Sequence, residues 1–376
     1  MNSRFPKLAK AFLNRSTPGY MVFFVTPFCN CRCSMCFNRK VIDNAAGRKI
    51  LSLDEIENIA QNFKGLHHVN FSGGEPFLRE DFSRIPELFY RYSGTRIFAC
   101  PTNSSHPDKI VKAVDDICTS CPDAWIRITQ SLDGIGKDHD VIRGRTGLFS
   151  DVCSLNTQLL ALQTKHSNLS IGIAMVMSKY NQGKENSILD FAYKNLAFSD
   201  FGVLYVRGDT FDSSSKDVDK YAYEKFVTVV KERARKCSKP LNFTGKLFTA
   251  INSVAANLVV KSVLTEEYLI PCRAGKNMVV MDDEGLIFPC EILEYYIKTG
   301  TASLQTASFG NIRDFEYDIR KVLGTEQARK IVDYIRNSKC HCSFECAMSV
   351  NVLYSPSLWP HILKNFYIQN KSKVGE

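Results

Sequence analysis

Between residues 20 and 207 the chain repeats one pattern. A short β-branched or aromatic run is followed by an amphipathic helical stretch, about every 30 residues. The runs are Met21–Thr26, His68–Phe71, Thr95–Pro101, Trp125–Leu132, Leu169–Met177 and Phe201–Arg207. They alternate only weakly between apolar and polar, as strands covered on both faces do. The intervening helices carry a period of 3.6. One opens at Ser52 with Glu55 three residues on, a capping box, and aligns Ile56, Ile59, Ala60 and Phe63 on one face. Others carry Ile110, Val111 and Val114, then Val152, Leu155 and Leu159. Six such units predict an α/β fold, a partial (β/α)6 barrel of the TIM type, with chemistry at the C-terminal ends of the strands.

A cysteine cluster stands where that rule places a site. Directly after the first strand runs VTPFCNCRCSMCFNRK, with Cys29-x3-Cys33-x2-Cys36. Three thiolates on one loop hold three corners of a [4Fe-4S] cluster and leave the fourth iron without a protein ligand, open to a small molecule. The competing occupant is zinc, which closes with four ligands. Cys31 would be the fourth, but the Cys-x-Cys-x-Cys spacing is cramped for a tetrahedron, and Cys31 reads as a bystander. Five more cysteines gather at Cys272, Cys290, Cys340, Cys342 and Cys346. Cys100, Cys118, Cys121, Cys153 and Cys237 are scattered and read as ordinary buried thiols. Fourteen cysteines in a chain without a secretion signal argue for metal ligation in a reducing compartment rather than for disulfides.

Composition narrows the partners. The net charge of +9 is spread along the chain, apart from one basic group, KERARK, on a predicted helix. No nucleic-acid-binding arm is visible. No apolar run reaches the roughly 18 residues that span a bilayer, and the basic N-terminus lacks the apolar core of a signal peptide. The expectation is a cytoplasmic protein with neither nucleic-acid nor membrane partners.

The cysteine triad, with Phe37 after it, and FSGGEP at the end of the second strand together resemble the signatures of radical S-adenosylmethionine (SAM) enzymes. The resemblance covers residues 20–207. It implies that the open iron takes the amino and carboxylate groups of SAM, and that a 5′-deoxyadenosyl radical then abstracts hydrogen from a substrate. It implies cofactor contacts from Gly73, Gly74, Glu75 and Pro76, with the glycines admitting the ligand and Glu75 accepting from the SAM ammonium. CPTNSS resembles a Thr-Asn-Gly turn of the family and adds Thr102 and Asn103, although Ser104 stands where glycine is usual. QSLDG with HDVIRG adds Ser131 and Asp133 as hydrogen-bonding groups, and Arg143 as a partner for the SAM carboxylate.

The second cysteine group resembles the C-terminal extension called SPASM, or its shorter form, twitch. Cys272 precedes Gly285-x4-Cys290, a match, whereas Cys340-x-Cys342-x3-Cys346 departs from the longer pattern. Five cysteines are too few for two clusters. The resemblance implies one auxiliary [4Fe-4S] cluster on Cys272, Cys290, Cys346 and either Cys342 or Cys340, with Cys342 preferred and zinc as the alternative occupant. The division expected is an N-terminal extension (1–19), a core (20–207), a helical linker (208–265), a small α+β cluster-binding domain (266–350) and a tail (351–376).

The activity implied is oxidation or cross-linking after hydrogen abstraction. The electron donor would be a flavodoxin or ferredoxin. The substrate is a small molecule such as a carbohydrate or, alternatively, a peptide. Only 28 residues precede Cys29, too few for the peptide-recognition domain of dedicated peptide maturases. A non-enzymatic zinc or iron–sulfur binding protein is the remaining alternative. His67 and His68, adjacent and on opposite faces of a strand, read as structural. His341 reads as spare beside its thiol neighbours. Arg207 and Asp209 read either as holding substrate or the SAM carboxylate or as an interior salt bridge, and Glu291 either as a base or as a turn residue.

Overall fold

The computed structural model describes residues 17–236 and 243–371. Cys237 and most of the N-terminal extension lie outside them. Six strands, β1 (Tyr20–Thr26), β2 (His68–Gly73), β3 (Ile97–Thr102), β4 (Trp125–Ser131), β5 (Leu169–Met177) and β6 (Asp200–Tyr205), run parallel and lie side by side in chain order. The sheet is open, so the partial-barrel expectation is met. Helices cover its outer face. Ser52 caps the Leu53–Asn62 helix as its sequence predicts: its hydroxyl accepts from Glu55 N at 3.2 Å, and the Glu55 carboxylate accepts from Ser52 N at 2.9 Å. Ile56, Ile59, Ala60 and Phe63 then join Phe23, Phe71 and Phe89 in the core.

Three further strands extend the same sheet: β7 (Met278–Met281), β8 (Leu286–Phe288) and β9 (Gly310–Asn311). β7 pairs in parallel with β1, Tyr20 opposite Met278. β8 and β9 follow antiparallel. The second cysteine region is thus hydrogen-bonded to the very strand that carries the first. Arg313 strengthens the join: its guanidinium donates to Glu55 at 2.6 Å and, together with the Ser52 amide, holds that carboxyl down at about 2 against the opposing effect of burial.

The inner face of the sheet is closed by two elements. The Phe243–Thr265 helix sets its Phe248 ring against His68, Trp125 and Arg127. The Glu345–Leu353 helix packs on it, as does the Trp359–Lys371 helix. The linker contains the polar Lys220–Lys236 helix, but Phe243–Thr265 is apolar, with mean hydropathy 1.5 over its best 18-residue window. By length and composition alone it is long and apolar enough to cross a membrane, the one such helix among the described residues. Its apolar side chains are partly spent inside the protein: Ala250, Val254, Ala255 and Val259 are buried against the C-terminal helices and the strands.

Candidate functional site

The loop leaving β1 carries Cys29, Cys33 and Cys36, and the C-terminal edge of the sheet grips it from three sides. The first grip is β2. Gly74 N donates to Thr26 O and Glu75 N to Phe28 O, both at 2.8 Å. Gly73 has φ +119°, and a Cβ there would lie 2.4 Å from Thr26 O; a Cβ on Gly74 would lie 2.0 Å from Phe28 O. The two glycines are therefore required by the cysteine loop passing over them, a reason absent from the sequence reading, which gives them to the ligand.

The second grip is β3. Glu75 is 2% exposed; its carboxylate accepts from Thr102 Oγ1 at 2.9 Å and from Asn103 N at 2.7 Å. Burial pushes this carboxyl up to about 7 despite those donors. Asn103 Nδ2 donates to Asn30 at 2.9 Å and points at Cys29 Sγ from 3.9 Å. Ser104 adopts the left-handed conformation, φ 70°, where the family pattern has glycine. Its amide donates to Thr102 Oγ1 and its hydroxyl accepts from Gln130, the polar contacts at this turn. Pro76 opens the short 3-10 turn Pro76–Leu78 that Glu75 caps.

The third grip is the short Lys137–Arg143 helix after β4. Its last carbonyls accept from Arg32 N and Ser34 N. Asp133, fully buried, forms an ion pair with Arg143 at 2.5 Å and accepts from Val176 N at 2.7 Å. The Arg143 guanidinium also reaches Cys33 Sγ at 3.9 Å. The resemblance gives Asp133 and Arg143 to SAM; in the structure Asp133 pairs with Arg143, and Arg143 reaches a cysteine sulfur. Ser131 ends β4, half-buried on the same rim.

These donors fit an anionic cluster. Asn103 and Arg143 each aim an N–H at a triad sulfur, the outer-sphere arrangement that stabilises metal-bound thiolates. The hydrogen bond from Cys31 lowers the Cys29 thiol to about 6, while burial raises Cys33, and Cys36 to about 12. Among the described residues no three Cys, His, Asp or Glu side chains converge to hold a single ion. A cluster that spends one iron on each thiolate needs no such convergence, whereas tetrahedral zinc does.

The second cysteine group divides. Cys290, half-buried, has its thiol pushed up by desolvation and by its neighbours Cys342, Cys272 and Cys340. Cys342 in turn feels Cys272 and Cys340. Cys272, Cys340 and Cys342 also line one small cavity with Ser262, Met348 and Asn351. Cys346 keeps different company: Asn70 Nδ2 at 3.7 Å, the Tyr20 hydroxyl, and the charges of Glu291, Arg207 and Glu345. Cys272, Cys290, Cys340 and Cys342 thus lie within electrostatic reach of one another, whereas the contacts named for Cys346 are with other residues. His341 spends its ring nitrogens on the carbonyls of Lys339 and Glu266. Arg207 takes the interior-pairing option, with Glu345 and, at 3.8 Å, Glu291; Asp209 pairs with Lys40 at the surface. Glu345 is the member of this group that motif reading misses; its place on the first turn of a helix is the available signal.

Residues 23–191 match the family model of the Radical SAM superfamily. Among curated proteins, a GTP 3′,8-cyclase of Haemophilus influenzae (strain PittEE) is 32% identical over 132 residues, 33% of this chain and 39% of that protein. The enzyme of the same name from Alkaliphilus metalliredigens (strain QYMF) is 30% identical over 186 residues, 48% of this chain and 53% of that protein. The chain therefore spans only about two fifths to half the length of these relatives. Among solved structures, Streptococcus suis SuiB bound to precursor peptide SuiA superposes with a TM-score of 0.59 at 16% identity, over 88% of this chain and 70% of that one. Native anSMEcpe with bound AdoMet gives 0.55 at 15% identity, over 94% of this chain and 98% of that one. At these identities the likeness is one of fold.

Proposed function

Residues 23–191 are a radical SAM domain, and from that premise we propose that the chain reductively cleaves SAM and abstracts hydrogen from a small polar substrate, a carbohydrate-like molecule being the class favoured. A [4Fe-4S] cluster on Cys29, Cys33 and Cys36, with SAM at its open iron, supplies one-electron cleavage of the S–C5′ bond. The chain's own residues do the positioning. Asn103 and Arg143 hold the loop and its sulfurs, and the Thr102 and Asn103 donors keep Glu75 turned toward the strand ends. The observation that carries the reading is this shared network, in which Glu75, Asn103 and the cysteine loop are fixed to one another at the C-terminal rim. Ser131 on the same rim is a further candidate for the SAM ribose.

An auxiliary [4Fe-4S] cluster is proposed on Cys272, Cys290, Cys340 and Cys342, which the mutual influence of their thiols supports. Such a cluster would accept or supply single electrons during turnover, and a ferredoxin or flavodoxin would serve as the reductant. A second reading, modification of a peptide, draws on the fold likeness to SuiB, which was solved with its precursor peptide. A nucleotide substrate is suggested by the name of the curated relatives, over the limited length they share.

Anaerobic reconstitution with iron and sulfide, followed by SAM and dithionite, tests the proposal. The expected product is 5′-deoxyadenosine. Protein that holds its iron and yields none would return the chain to the binding-protein reading.

A further inference from the structure

The chain's excess of positive charge is gathered on one part of the folded molecule. The Lys220–Lys236, Phe243–Thr265 and Trp359–Lys371 helices together carry ten lysines and arginines against two glutamates, leaving 38 basic and 37 acidic side chains for the rest of the chain. The three lie side by side, because Phe243–Thr265 packs against both of the others. In the sequence only KERARK stands out; the fold brings the remaining cations to it. Lys220 pairs with Glu266 and Arg233 with Asp190, whereas Lys225, Arg235, Lys261 and Lys364 are exposed and without an ion pair among the described residues.

Large apolar side chains stand among these charges. On Trp359–Lys371, Ile362 turns inward, while Trp359 and Leu363, one helical turn apart, are 51% and 67% exposed. Ile368 is exposed further along. The Trp359 indole is tethered at the surface, its Nε1 donating to Leu353 O at 3.0 Å. This face lies toward the end of the sheet where the strands begin. Asn365 meets Ser253 of the Phe243–Thr265 helix at 3.4 Å, and Phe248 of that helix meets His68 and Trp125, which open β2 and β4. The triad loop hangs from the other end of the strands.

We infer that this three-helix face docks on an anionic lipid bilayer, a partner that the sequence expectation leaves out. Protruding tryptophan and leucine beside unpaired lysine and arginine match the headgroup boundary, where rings and aliphatic groups enter and cations meet lipid phosphates. A nucleic acid would use the cations but not Leu363 and Ile368, which offer bases no ring to stack on. A second copy would bring the same positive face against its like. The bilayer is touched and not crossed: Ala250, Val254, Ala255 and Val259 of the Phe243–Thr265 helix are spent on the protein's own core. Docking by this face leaves the rim that carries the triad open to solvent.

Flotation of the reconstituted full chain with vesicles tests the inference. At low salt the protein should float with phosphatidylcholine vesicles that contain phosphatidylglycerol, and bind phosphatidylcholine alone about tenfold or more weakly. R235Q/K364Q should weaken binding about 25-fold, roughly fivefold for each cation removed. L363S/I368S should weaken it about tenfold or more through lost apolar contact. Both double variants change exposed side chains and should keep the wild-type Tm and wild-type 5′-deoxyadenosine formation in solution, so the outcome does not depend on the radical SAM reading. The chain has two tryptophans, of which Trp125 is buried. A blue shift of emission on anionic vesicles that disappears in W359F would therefore place Trp359 in the lipid. No flotation with anionic vesicles, equal affinity for neutral ones, or unchanged binding in both double variants would overturn the inference. So would a dimer that either double variant turns into monomer, or RNA binding that anionic vesicles do not displace.

Discussion

Cys29, Cys33 and Cys36 occupy one short loop, whereas Cys272, Cys290, Cys340 and Cys342 arrive from segments far apart in the chain. The first group is positioned by its neighbours: β2, β3 and the Lys137–Arg143 helix each hydrogen-bond the loop or a sulfur. The second is positioned by the fold, since Cys290 follows β8, Cys272 precedes β7, and Cys340 and Cys342 lie between two helices. A local site announces its members through spacing. A site assembled from distant segments announces only its composition.

Separate loss of the two groups would break this comparison most decisively. C33S should lower 5′-deoxyadenosine formation more than about 100-fold, beyond what loss of an outer-sphere partner costs, while the second group keeps its iron. C290A should do the converse, leaving SAM cleavage measurable and removing the second group's iron. If either variant emptied both sites, the groups would be one unit and the contrast would fall. The next effect is steric. Gly74→Ala forces a methyl against Phe28 O and should destabilise the protein by about 4 kcal/mol, read as a large drop in Tm. The matched change in the second region, Gly300→Ala, meets no atom within 4 Å. Its left-handed φ of +74° limits the cost to about 1 kcal/mol.

Glu75 sharpens the comparison through pH. Its carboxyl sits at about 7 in the folded chain against an ordinary 4.5, raised by burial. The folded state therefore binds this proton more tightly than the unfolded state does. The stabilisation is complete below the ordinary value and is lost as pH rises through about 7. Metal-free E75Q should accordingly show a flatter decline of Tm between about pH 5 and 7 than wild type, as measured by calorimetry. An unchanged slope would mean that other buried acids, such as Glu291, dominate. The smallest effect expected is at Ser104. S104G relieves a left-handed serine but gives up the bond from Gln130, so two terms of about 1 kcal/mol oppose each other and stability should barely move.

These residues also show how far the chain is legible in advance. The six strands of the core are readable to within two residues at every end, and β5 to the residue at both, because a parallel sheet covered on both faces leaves unbroken apolar runs. The capping box at Ser52 and Glu55 is legible because its partners are three residues apart. Cys346 lies four residues after Cys342, a spacing that shares a face only when both are helical; the helix begins at Glu345, so Cys342 is outside it. The partner of Asp133 is hidden as well, because Arg143 lies at the far end of a helix whose direction spacing alone does not determine. The apolar character of the Phe243–Thr265 helix escapes notice because Lys246 and Lys261 interrupt its apolar run.

The parallel pairing of β1 with β7 bears on how the protein is made. Until Met278–Met281 emerges from the ribosome, well over half the chain after the triad, β1 has one naked flank. The iron-binding loop hangs from that unfinished strand. Nascent chains should thus stay incompetent for metallation until synthesis is nearly complete. Expression hosts that slow late translation, or truncations that stop short of β7, should yield aggregation-prone material rather than a smaller working core.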